Sequence, residues 1–329
     1  MSTLLSELAA AIGQASGTAF TAQNTQAVHG GDISQAFTLS DGTRSFFVKL
    51  QPAPRPPAGR VSGGVLPASA AARIGLFEAE ADGLAQLAAA KALRVPRVVC
   101  HGVAAGQAYL VLEHLALKSH GDAALLGRLL AQQHRVSAAE FGGPRDNWIG
   151  ATAQPNAWRD SWIDFWRDQR LGFQLRRAAE NGYGGALQQN GEILLANLAP
   201  FFDGYVPDAS LLHGDLWGGN HGYLVDGSYD LSCSSGHSKS AYPCGAPVIF
   251  DPAVYFGDRE CDLAMTELFG GFAPEFYAAY REAWPLDAGY AVRKTLYNLY
   301  HVLNHANLFG GSYVGQASRM TAQLLAHIR

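Results

Sequence analysis

The segment richest in potential chemistry begins at Leu211 and reads Leu-Leu-His-Gly-Asp-Leu-Trp-Gly-Gly-Asn. Its aspartate, Asp215, is followed five residues later by Asn220, which is the spacing of a phosphoryl-transfer catalytic loop. In such a loop the carboxylate accepts the proton of an attacking hydroxyl, and the asparagine oxygen binds a magnesium ion that bridges nucleotide phosphates. The alternative is a capped turn, where Asp and Asn are common. Taken alone, the pair favours the turn.

A second acidic residue favours the catalytic loop over the capped turn. The apolar run Val248–Phe250 leads into Asp251, which places a carboxylate at the end of a predicted strand downstream of the loop. Mg²⁺ prefers hard oxygen ligands, and Asp251 with Asn220 would supply them without cysteine or histidine. Because these residues follow in the order expected of a kinase, we interpret Asp215 as the catalytic base and Asn220 and Asp251 as magnesium ligands.

Lys49 is the candidate cation for the nucleotide. It lies in the alternating segment Phe46–Lys49, which predicts a strand. A lysine beside the nucleotide neutralises the α- and β-phosphates when a carboxylate from the following helix holds it in place. Glu78 and Glu80 are the candidates for this carboxylate, and we favour Glu80. The alternative is a solvent-facing strand lysine, which the downstream Asp residues argue against.

Gly30 and Gly31 lie between the first two predicted strands, in the sequence His-Gly-Gly-Asp-Ile-Ser. Glycines let a backbone approach phosphate oxygens closely and present N–H donors to them. The segment matches neither G-x-G-x-x-G nor a Walker A sequence, so a plain β-turn is the alternative. Its position before the Lys49 strand favours a loop that covers the phosphates.

Histidine and cysteine give no metal site in the sequence. His301 and His305 are four residues apart on one predicted helical face, but no third ligand is evident, so core or substrate-lining histidines are expected. The four cysteines have neither zinc spacing nor the pattern of a secreted disulfide framework. Reduced thiols in the cytoplasm are therefore expected.

Composition limits the partners. The chain has 329 residues, a hydrophobic fraction of 48% and a net charge of −4, which is typical of an ordinary globular protein. It offers no basic surface for nucleic acid or an anionic membrane, and no stretch approaches the roughly 20 apolar residues of a membrane span. We expect small-molecule partners and a monomer or weak dimer.

The predicted elements fall into two lobes. Residues 1–112 form a nucleotide-binding lobe, residues 113–118 a connector, and residues 119–329 a helical catalytic and substrate lobe. The first lobe has strands over 27–29, 35–40, 44–50, 97–102 and 108–112, and helices over 2–15 and 70–91. Asp41-Gly42 predicts a two-residue hairpin between two of these strands. The second lobe has helices over 121–135, 158–180 and 187–202 and again from about 258 onward. The predicted fold class is α+β, with a small antiparallel sheet in the first lobe.

With these motifs the sequence resembles the fructosamine kinase (ketosamine 3-kinase) family, within the wider group of aminoglycoside-phosphotransferase-like kinases. The resemblance covers nearly the whole chain and is most specific in the His-Gly-Asp-Leu-Trp and Asp-Pro-Ala segments. The other matching segments are Gly30-Gly31, Phe47–Lys49, Phe77–Glu80, Glu113–Leu115, Asn147, Gln154–Asn156, Gly257–Glu260, Phe269–Phe272 and Asn304-His305. The resemblance implies a two-lobed, protein-kinase-like fold.

The resemblance also implies a reaction. The γ-phosphate of ATP would be transferred to the 3-hydroxyl of a ketosamine, the product of amine glycation, and the unstable product would eliminate and free the amine. Glu113, His114 and Leu115 would meet the adenine through their backbone. The residues assigned above keep their roles at the phosphates, the magnesium ion and the hydroxyl.

The resemblance implies a substrate pocket as well. The aromatic face of Trp217 would suit a sugar-amine. Asp258 and Glu260 are acidic candidates near the same pocket, with a helix cap as the alternative for Asp258. His305 is a further candidate for the lining of the pocket.

One segment departs from the family pattern. Residues 226–247 are longer than the short hairpin usual at this place, and surface loops tolerate such insertions at small entropic cost. Cys233 and Cys244 lie within it, but a reducing cytoplasm argues against a disulfide between them. Asp32 stands where some family members carry a cysteine, so no thiol switch is expected in the phosphate loop.

Two other functions stay open at this point. A small-molecule kinase of the same fold could act on an aminoglycoside, choline or a free sugar. A silent nucleotide-binding module is the alternative from another class, and the presence of every expected catalytic residue argues against it.

Overall fold

The computed structural model of the chain describes residues 3–28, 35–51, 70–225 and 245–328. Its strands are β1 (Asn24–Val28), β2 (Gln35–Ser40), β3 (Ser45–Gln51), β4 (Val98–Ala104), β5 (Gln107–Glu113), β6 (Leu117–Lys118), β7 (Asn147–Ile149), β8 (Thr152–Gln154), β9 (Ser210–Leu212), β10 (His221–Leu224), β11 (Pro247–Ile249) and β12 (Tyr255–Gly257). Its α-helices are α1 (Thr3–Ser16), α2 (Ala70–Ala89), α3 (Ala123–His134), α4 (Trp162–Phe165), α5 (Gly172–Glu180), α6 (Ala186–Ala196), α7 (Glu260–Leu268), α8 (Pro274–Ala283), α9 (Tyr290–Phe309) and α10 (Ser312–His327).

The described residues fall into two compact units. The first holds residues 3–28, 35–51, 70–126, 221–225 and 245–252, and the second holds residues 127–220 and 253–328. The predicted lobes placed all of 119–329 in the second lobe, whereas the chain here returns to the first unit after residue 220. The reason is strand pairing, because β10 pairs with β6, which lies in the connector, and with β11.

The first unit is built on an antiparallel sheet with the order β1-β2-β3-β5-β4. Its strand β3 alternates between two faces. Phe46, Val48 and Leu50 are buried in one core with Leu8 of α1. Lys49, between them in sequence, therefore faces the opposite side.

Helix α2 packs on β4 and β5. Phe77, Leu84 and Leu87 form its buried stripe, as the sequence pattern predicts. Glu80 is also buried on this helix, at 7% exposure. A carboxylate rarely stays buried without a partner, so a compensating charge or hydrogen-bond donor is expected beside Glu80.

The hairpin between β2 and β3 is confirmed, but its predicted length is wrong. The strand register leaves four residues, 41–44, in the loop instead of two. The Asp41 carboxylate explains the wider turn, because its Oδ1 accepts hydrogen bonds from the backbone N–H groups of Thr43 and Arg44 at 3.0 and 2.7 Å.

A second, three-stranded sheet of the first unit has the order β11-β10-β6. It carries a small apolar group that we call the connector cluster: Leu115, Leu117, Leu224, Ala246, Val248 and Phe250. The cluster packs the connector after β5 against the strand that precedes Asp251.

The second unit is mainly helical, with the short antiparallel pairs β7–β8 and β9–β12. Its core is rich in aromatic rings, among them Trp162, Trp166 and Tyr297. The helix predicted over 158–180 begins at Trp162 and continues to Glu180, with a π-helical stretch, Trp166–Leu171, between α4 and α5. Across the described ranges, no helix is both long and apolar enough to cross a membrane.

Candidate active site

Lys49 is the centre of a charged cluster in the first unit. Its Nζ lies 2.7 Å from Glu80 Oε1 and 2.6 Å from Asp251 Oδ1. Strand β3 supplies Lys49, helix α2 supplies Glu80, and the residues just after β11 supply Asp251. The structure thus brings together three residues predicted from separate motifs, and Lys49 is paired with Glu80, the glutamate that the sequence favours.

The electrostatics of the cluster follow from burial and proximity. Burial alone would lower the pKa of the Lys49 ammonium, but Asp251 and Glu80 outweigh it, so the pKa lies above its usual value. Burial raises the pKa of the Glu80 carboxyl, the Lys49 ammonium opposes this shift, and the Asp251 carboxylate adds to it. Lys49 is therefore a firmly protonated cation.

Asp251 has an unusual backbone for a residue other than glycine. Its φ is 60°, in the left-handed region that Asp tolerates better than most residue types. Its side chain is 50% exposed, in contrast to the buried Glu80. Strained conformations of this kind cluster at functional sites. A half-exposed carboxylate in this position could bind a hard cation.

The connector residues have different surroundings. The Glu113 side chain is 2% exposed, and its Oε1 accepts a hydrogen bond from Arg97 N–H at 2.6 Å and another from the Arg94 guanidinium. Burial lowers the pKa of His114. Leu115 packs in the connector cluster. The predicted adenine contacts through the backbone of these residues stay a prediction.

The catalytic-loop residues lie in the second unit and contact each other. Asn220 Nδ2 donates to the Asp215 carbonyl oxygen at 2.8 Å and lies 3.4 Å from Asp215 Oδ2. Asn220 N–H also donates to the Trp217 carbonyl oxygen at 3.0 Å. Since Nδ2 is used to close the loop, the Oδ1 of this amide is the atom suited to bind a cation.

Gly214 fixes the loop against the backbone that follows Pro252. Its φ is +82°, and a Cβ at this position would lie 2.0 Å from the Ala253 carbonyl oxygen. Ala253 N–H in turn donates to the His213 carbonyl oxygen at 2.8 Å. Only glycine combines this φ with such a close approach.

Asp262 anchors the loop, and the sequence interpretation missed it. Its Oδ2 accepts a hydrogen bond from His213 N–H at 2.7 Å, and its Oδ1 accepts one from Gly214 N–H at 2.8 Å. His134 Nε2 lies 3.1 Å from the same Oδ2. Burial alone would raise the pKa of Asp262, but the hydrogen bonds and His134 hold it below its usual value. The sequence did contain a signal for this role, since Asp262 stands between Cys261 and apolar residues in α7, where a carboxylate would be buried and would need partners.

Trp217 is 39% exposed, and its indole lies over Gly219. A Cβ at residue 219 would be 2.4 Å from the ring, so glycine leaves the space that the indole occupies. An exposed ring held in this way can offer a face to a ligand. Its predicted contact with substrate stays a prediction.

Asp258 and Glu260 are fully buried. Asp258 accepts hydrogen bonds from the hydroxyls of Tyr297 and Tyr205 at 2.5 and 3.0 Å and from Glu260 N–H at 3.0 Å. Glu260 is bonded twice to Arg293, at 2.7 and 3.0 Å. These contacts favour the helix-cap alternative for Asp258 and a core ion pair for Glu260 over direct contact with substrate, which stays a prediction.

His305 lies among aromatic rings, with the centroids of Phe269, Tyr313 and Phe309 at 4.8, 5.1 and 5.6 Å. Its Nδ1 is 2.9 Å from the His301 carbonyl oxygen. Burial lowers the pKa of His301 to about 3. Among the residues that the structure describes, no group of three or more His, Cys, Asp or Glu could hold a metal ion. A substrate-lining role for His305 stays a prediction.

Some predicted residues lie outside the described part of the chain, namely Gly30, Gly31, Cys233 and Cys244. Of the cysteines within it, Cys261 is buried and Cys100 is half-buried, and both are free thiols.

Comparisons with known proteins agree with the kinase-like arrangement of the site. A family model described as fructosamine kinase matches residues 4–327. A Synechocystis protein named "Probable ketoamine kinase" is 42% identical over 324 residues, which cover 97% of this chain and 96% of that protein. The chloroplastic protein-ribulosamine 3-kinase of Arabidopsis thaliana is 36% identical over 294 residues, which cover 88% of this chain and 79% of that protein.

Solved structures agree in fold. A crystal structure from Haemophilus somnus 129PT, provisionally named a fructosamine-3-kinase, superposes with a TM-score of 0.79 at 27% identity and covers 97% of this chain and 96% of that chain. The aminoglycoside phosphotransferase APH(4)-Ia, in a thermostable mutant, gives a TM-score of 0.55 at 15% identity, covers 97% of this chain and 98% of that chain, and supports the fold alone. The predicted protein-kinase-like fold is confirmed, and the chain belongs to the fructosamine kinase family.

Proposed function

We propose that this chain is an ATP-dependent kinase that phosphorylates the 3-hydroxyl of ketosamines of the ribulosamine and fructosamine type, and thereby removes glycation adducts. The observation that carries the proposal is the Lys49 cluster, in which residues from three separate motifs meet at 2.6 and 2.7 Å. The fructosamine kinase match over residues 4–327 supports the substrate class.

The Lys49 cluster supplies the charge that a nucleotide needs. The ammonium neutralises the α- and β-phosphates, and Glu80 holds it in place through the 2.7 Å contact. Because two carboxylates raise the pKa of Lys49, the ammonium keeps its charge at neutral pH. Arrival of a triphosphate would exchange the contact of Lys49 with Asp251 for a contact with phosphate.

Asp251 and Asn220 fit a magnesium ion by their chemistry. Asp251 offers a half-exposed carboxylate, and Asn220 offers an amide oxygen whose partner nitrogen is already bonded to Asp215. Mg²⁺ in kinases takes few protein ligands and completes its shell with phosphates and water. When bound, it would neutralise the charge that develops on the phosphates.

Asp215 is the proposed catalytic base. It accepts the proton of the attacking 3-hydroxyl and orients that oxygen toward the γ-phosphate. The phosphorus–oxygen bond to the substrate forms as the bond to ADP breaks, and this transfer requires the reacting atoms to be held in line. Asp262 and Gly214 contribute to this alignment by keeping the loop that carries Asp215 in place. The exposed face of Trp217 is the proposed platform for the sugar-amine.

The decisive experiment is phosphate transfer from ATP by the purified chain to a panel of acceptors. Ribulosamine and fructosamine derivatives represent the proposed class, and kanamycin and choline represent the competing kinases of the same fold. We expect magnesium-dependent ADP release with the ketosamines and a 3-phosphate that decays to the free amine. Turnover with kanamycin or choline alone would contradict the substrate class, and ATP binding without any turnover would favour a silent module.

A free ketosamine and a glycated lysine of a protein present the same sugar-amine, so both belong in the panel. A cytoplasmic location would supply ATP and keep Cys100 and Cys261 reduced.

A further inference from the structure

A buried junction joins the connector to the segment between α2 and β4. Glu113 Oε1 accepts two hydrogen bonds, from Arg97 N–H at 2.6 Å and from the Arg94 guanidinium. The Glu113 N–H also donates to the Arg97 carbonyl oxygen at 2.9 Å. Glu113 is buried, with 3% exposure, and a single carboxylate oxygen therefore holds two points of that segment.

The same segment is bonded to β11, the strand that leads into Asp251. Ile249 N–H donates to the Arg94 carbonyl oxygen at 3.0 Å, and Arg94 forms a parallel bridge with Val248. Ile249 precedes Asp251 by two residues. The backbone of Arg94 thus supports β11, while its side chain is fixed to Glu113.

Packing leaves this junction little freedom. Leu93 and Val95, on either side of Arg94, are 1% and 3% exposed. Val248 packs with Leu115 in the connector cluster. A movement of the Arg94 backbone would have to shift these buried side chains, so the place of β11 depends on the place of Arg94.

We propose that Glu113 and Arg94 are positioning residues that hold Asp251 beside Lys49 and so set the affinity of the first unit for a divalent cation with ATP. The inference rests on the proposed function only in taking ATP and a divalent cation as ligands, and it is independent of the acceptor. Groups that orient a metal ligand from behind typically contribute 10–100-fold to metal affinity.

Loss of stability must be separated from loss of position. Removing one partner of a buried ion pair costs about 3–5 kcal/mol, because a charge is left uncompensated. Replacing both partners by uncharged side chains of similar size removes that cost. Glu113→Gln keeps an acceptor for Arg97 N–H, and Arg94→Met keeps most of the side-chain volume. The double variant Arg94→Met/Glu113→Gln therefore removes the tie together with both of its charges.

A matched control exists in the same unit. Arg44 and Asp41 form an ion pair at 2.7 Å with side-chain exposures of 13% and 14%, within the β2–β3 hairpin. The double variant Arg44→Met/Asp41→Asn removes an ion pair of the same unit whose hydrogen bonds run within the hairpin and to Thr18 and Ala19.

The measurement is binding of Mn²⁺ with ATP to the full chain, read from the electron paramagnetic resonance signal of free Mn²⁺, together with thermal unfolding. We expect Arg94→Met/Glu113→Gln to unfold at a temperature closer to wild type than Glu113→Gln does, yet to bind Mn²⁺ with ATP 10–100-fold more weakly. The Arg44→Met/Asp41→Asn control should bind as wild type does.

Binding by Arg94→Met/Glu113→Gln within twofold of wild type would overturn the inference, whatever the behaviour of Glu113→Gln. The wild-type chain separates this failure from that of the proposed function. A wild type that binds Mn²⁺ with ATP but phosphorylates no ketosamine contradicts the acceptor alone, and a wild type that binds neither ligand contradicts the nucleotide site itself.

Discussion

The two units hold their proposed functional residues by different physical means. In the first unit, Lys49, Glu80 and Asp251 are kept together by opposite charges at 2.6–2.7 Å. In the second unit, the loop that carries Asp215 is fixed by backbone hydrogen bonds to Asp262 and by the close approach of Gly214 to Ala253. One site depends on charge balance and the other on steric fit.

The difference predicts opposite sensitivities to mutation. A charge cluster tolerates small changes of shape, but removing its cation leaves carboxylates facing each other. A loop held by backbone contacts tolerates loss of a side-chain charge at its tip, but an added methyl group has no space. Substitutions of both kinds can therefore test whether the two sites are held in these two ways.

The largest effect is expected from Gly214→Ala. The new Cβ would meet the Ala253 carbonyl oxygen at 2.0 Å, and the φ of +82° is itself unfavourable for alanine. We expect a loss of about 3 kcal/mol or more in the free energy of unfolding, together with loss of turnover. Chemical denaturation and a kinase assay measure the two effects.

Gly218→Ala is the matched control, since a Cβ at that glycine of the same loop would meet nothing within 4 Å. It should fold with stability near that of wild type. Equal stability of Gly214→Ala and Gly218→Ala would remove the steric account of the loop.

Asp215→Ala comes next. Loss of the proposed base should lower turnover by roughly 10²–10⁴-fold, because the attacking hydroxyl loses its proton acceptor. Since the loop is held by Asp262 and Gly214, the fold and ATP affinity should change little. Steady-state kinetics and ATP titration test both parts, and near-normal turnover would refute the assignment of the base.

These two sites also differ in how far the sequence could predict them. Lys49, Glu80 and Asp251 carry the proposed chemistry themselves, so their residue types and order in the chain were sufficient to predict that they lie together. Asp262 acts only by accepting backbone N–H groups, and its position shows this role only after α7 is folded against the loop. Spacing motifs identify groups that react, and they do not identify groups that hold the backbone.

The fold was predictable to a similar degree. The alternation of apolar residues predicted β3, and apolar residues at helical spacing predicted α2, because both patterns are local in the sequence. The four-residue hairpin loop depends on the Asp41 side chain. Trp166, in the π-helical stretch Trp166–Leu171, packs on Tyr297 and Tyr300, which are distant in the sequence. The return of residues 221–225 and 245–252 to the first unit depends on the pairing of β10 with β6, which no local pattern encodes.

Lys49→Met should have a smaller effect on the fold than Gly214→Ala, and a larger one on nucleotide binding. Without the ammonium, the Glu80 carboxyl loses the contact that opposes its burial, so its pKa should rise further. We expect weaker ATP binding and lower turnover, measured by titration calorimetry and kinetics.

Glu78→Gln and Glu80→Gln sharpen this test, because residues two apart on a helix point to different sides. Glu80→Gln should weaken ATP binding, and Glu78→Gln should leave it nearer to wild type. If Glu78→Gln weakened ATP binding more than Glu80→Gln does, the roles assigned to Glu78 and Glu80 would have to be exchanged.

The smallest effect is expected at His301, which lies in the second unit and takes no part in the proposed chemistry. Burial lowers its pKa from 6.5 to about 3. The unfolded chain therefore binds a proton at this residue between these pH values while the folded chain does not, so the folded state loses stability as the pH falls below 6.5. At pH 5 this difference amounts to about 2 kcal/mol. His301→Gln removes the titration, so the stability of the variant should fall less than that of wild type between pH 7 and 5. Urea denaturation at both pH values measures it, and parallel losses would show that His301 is protonated in the folded chain.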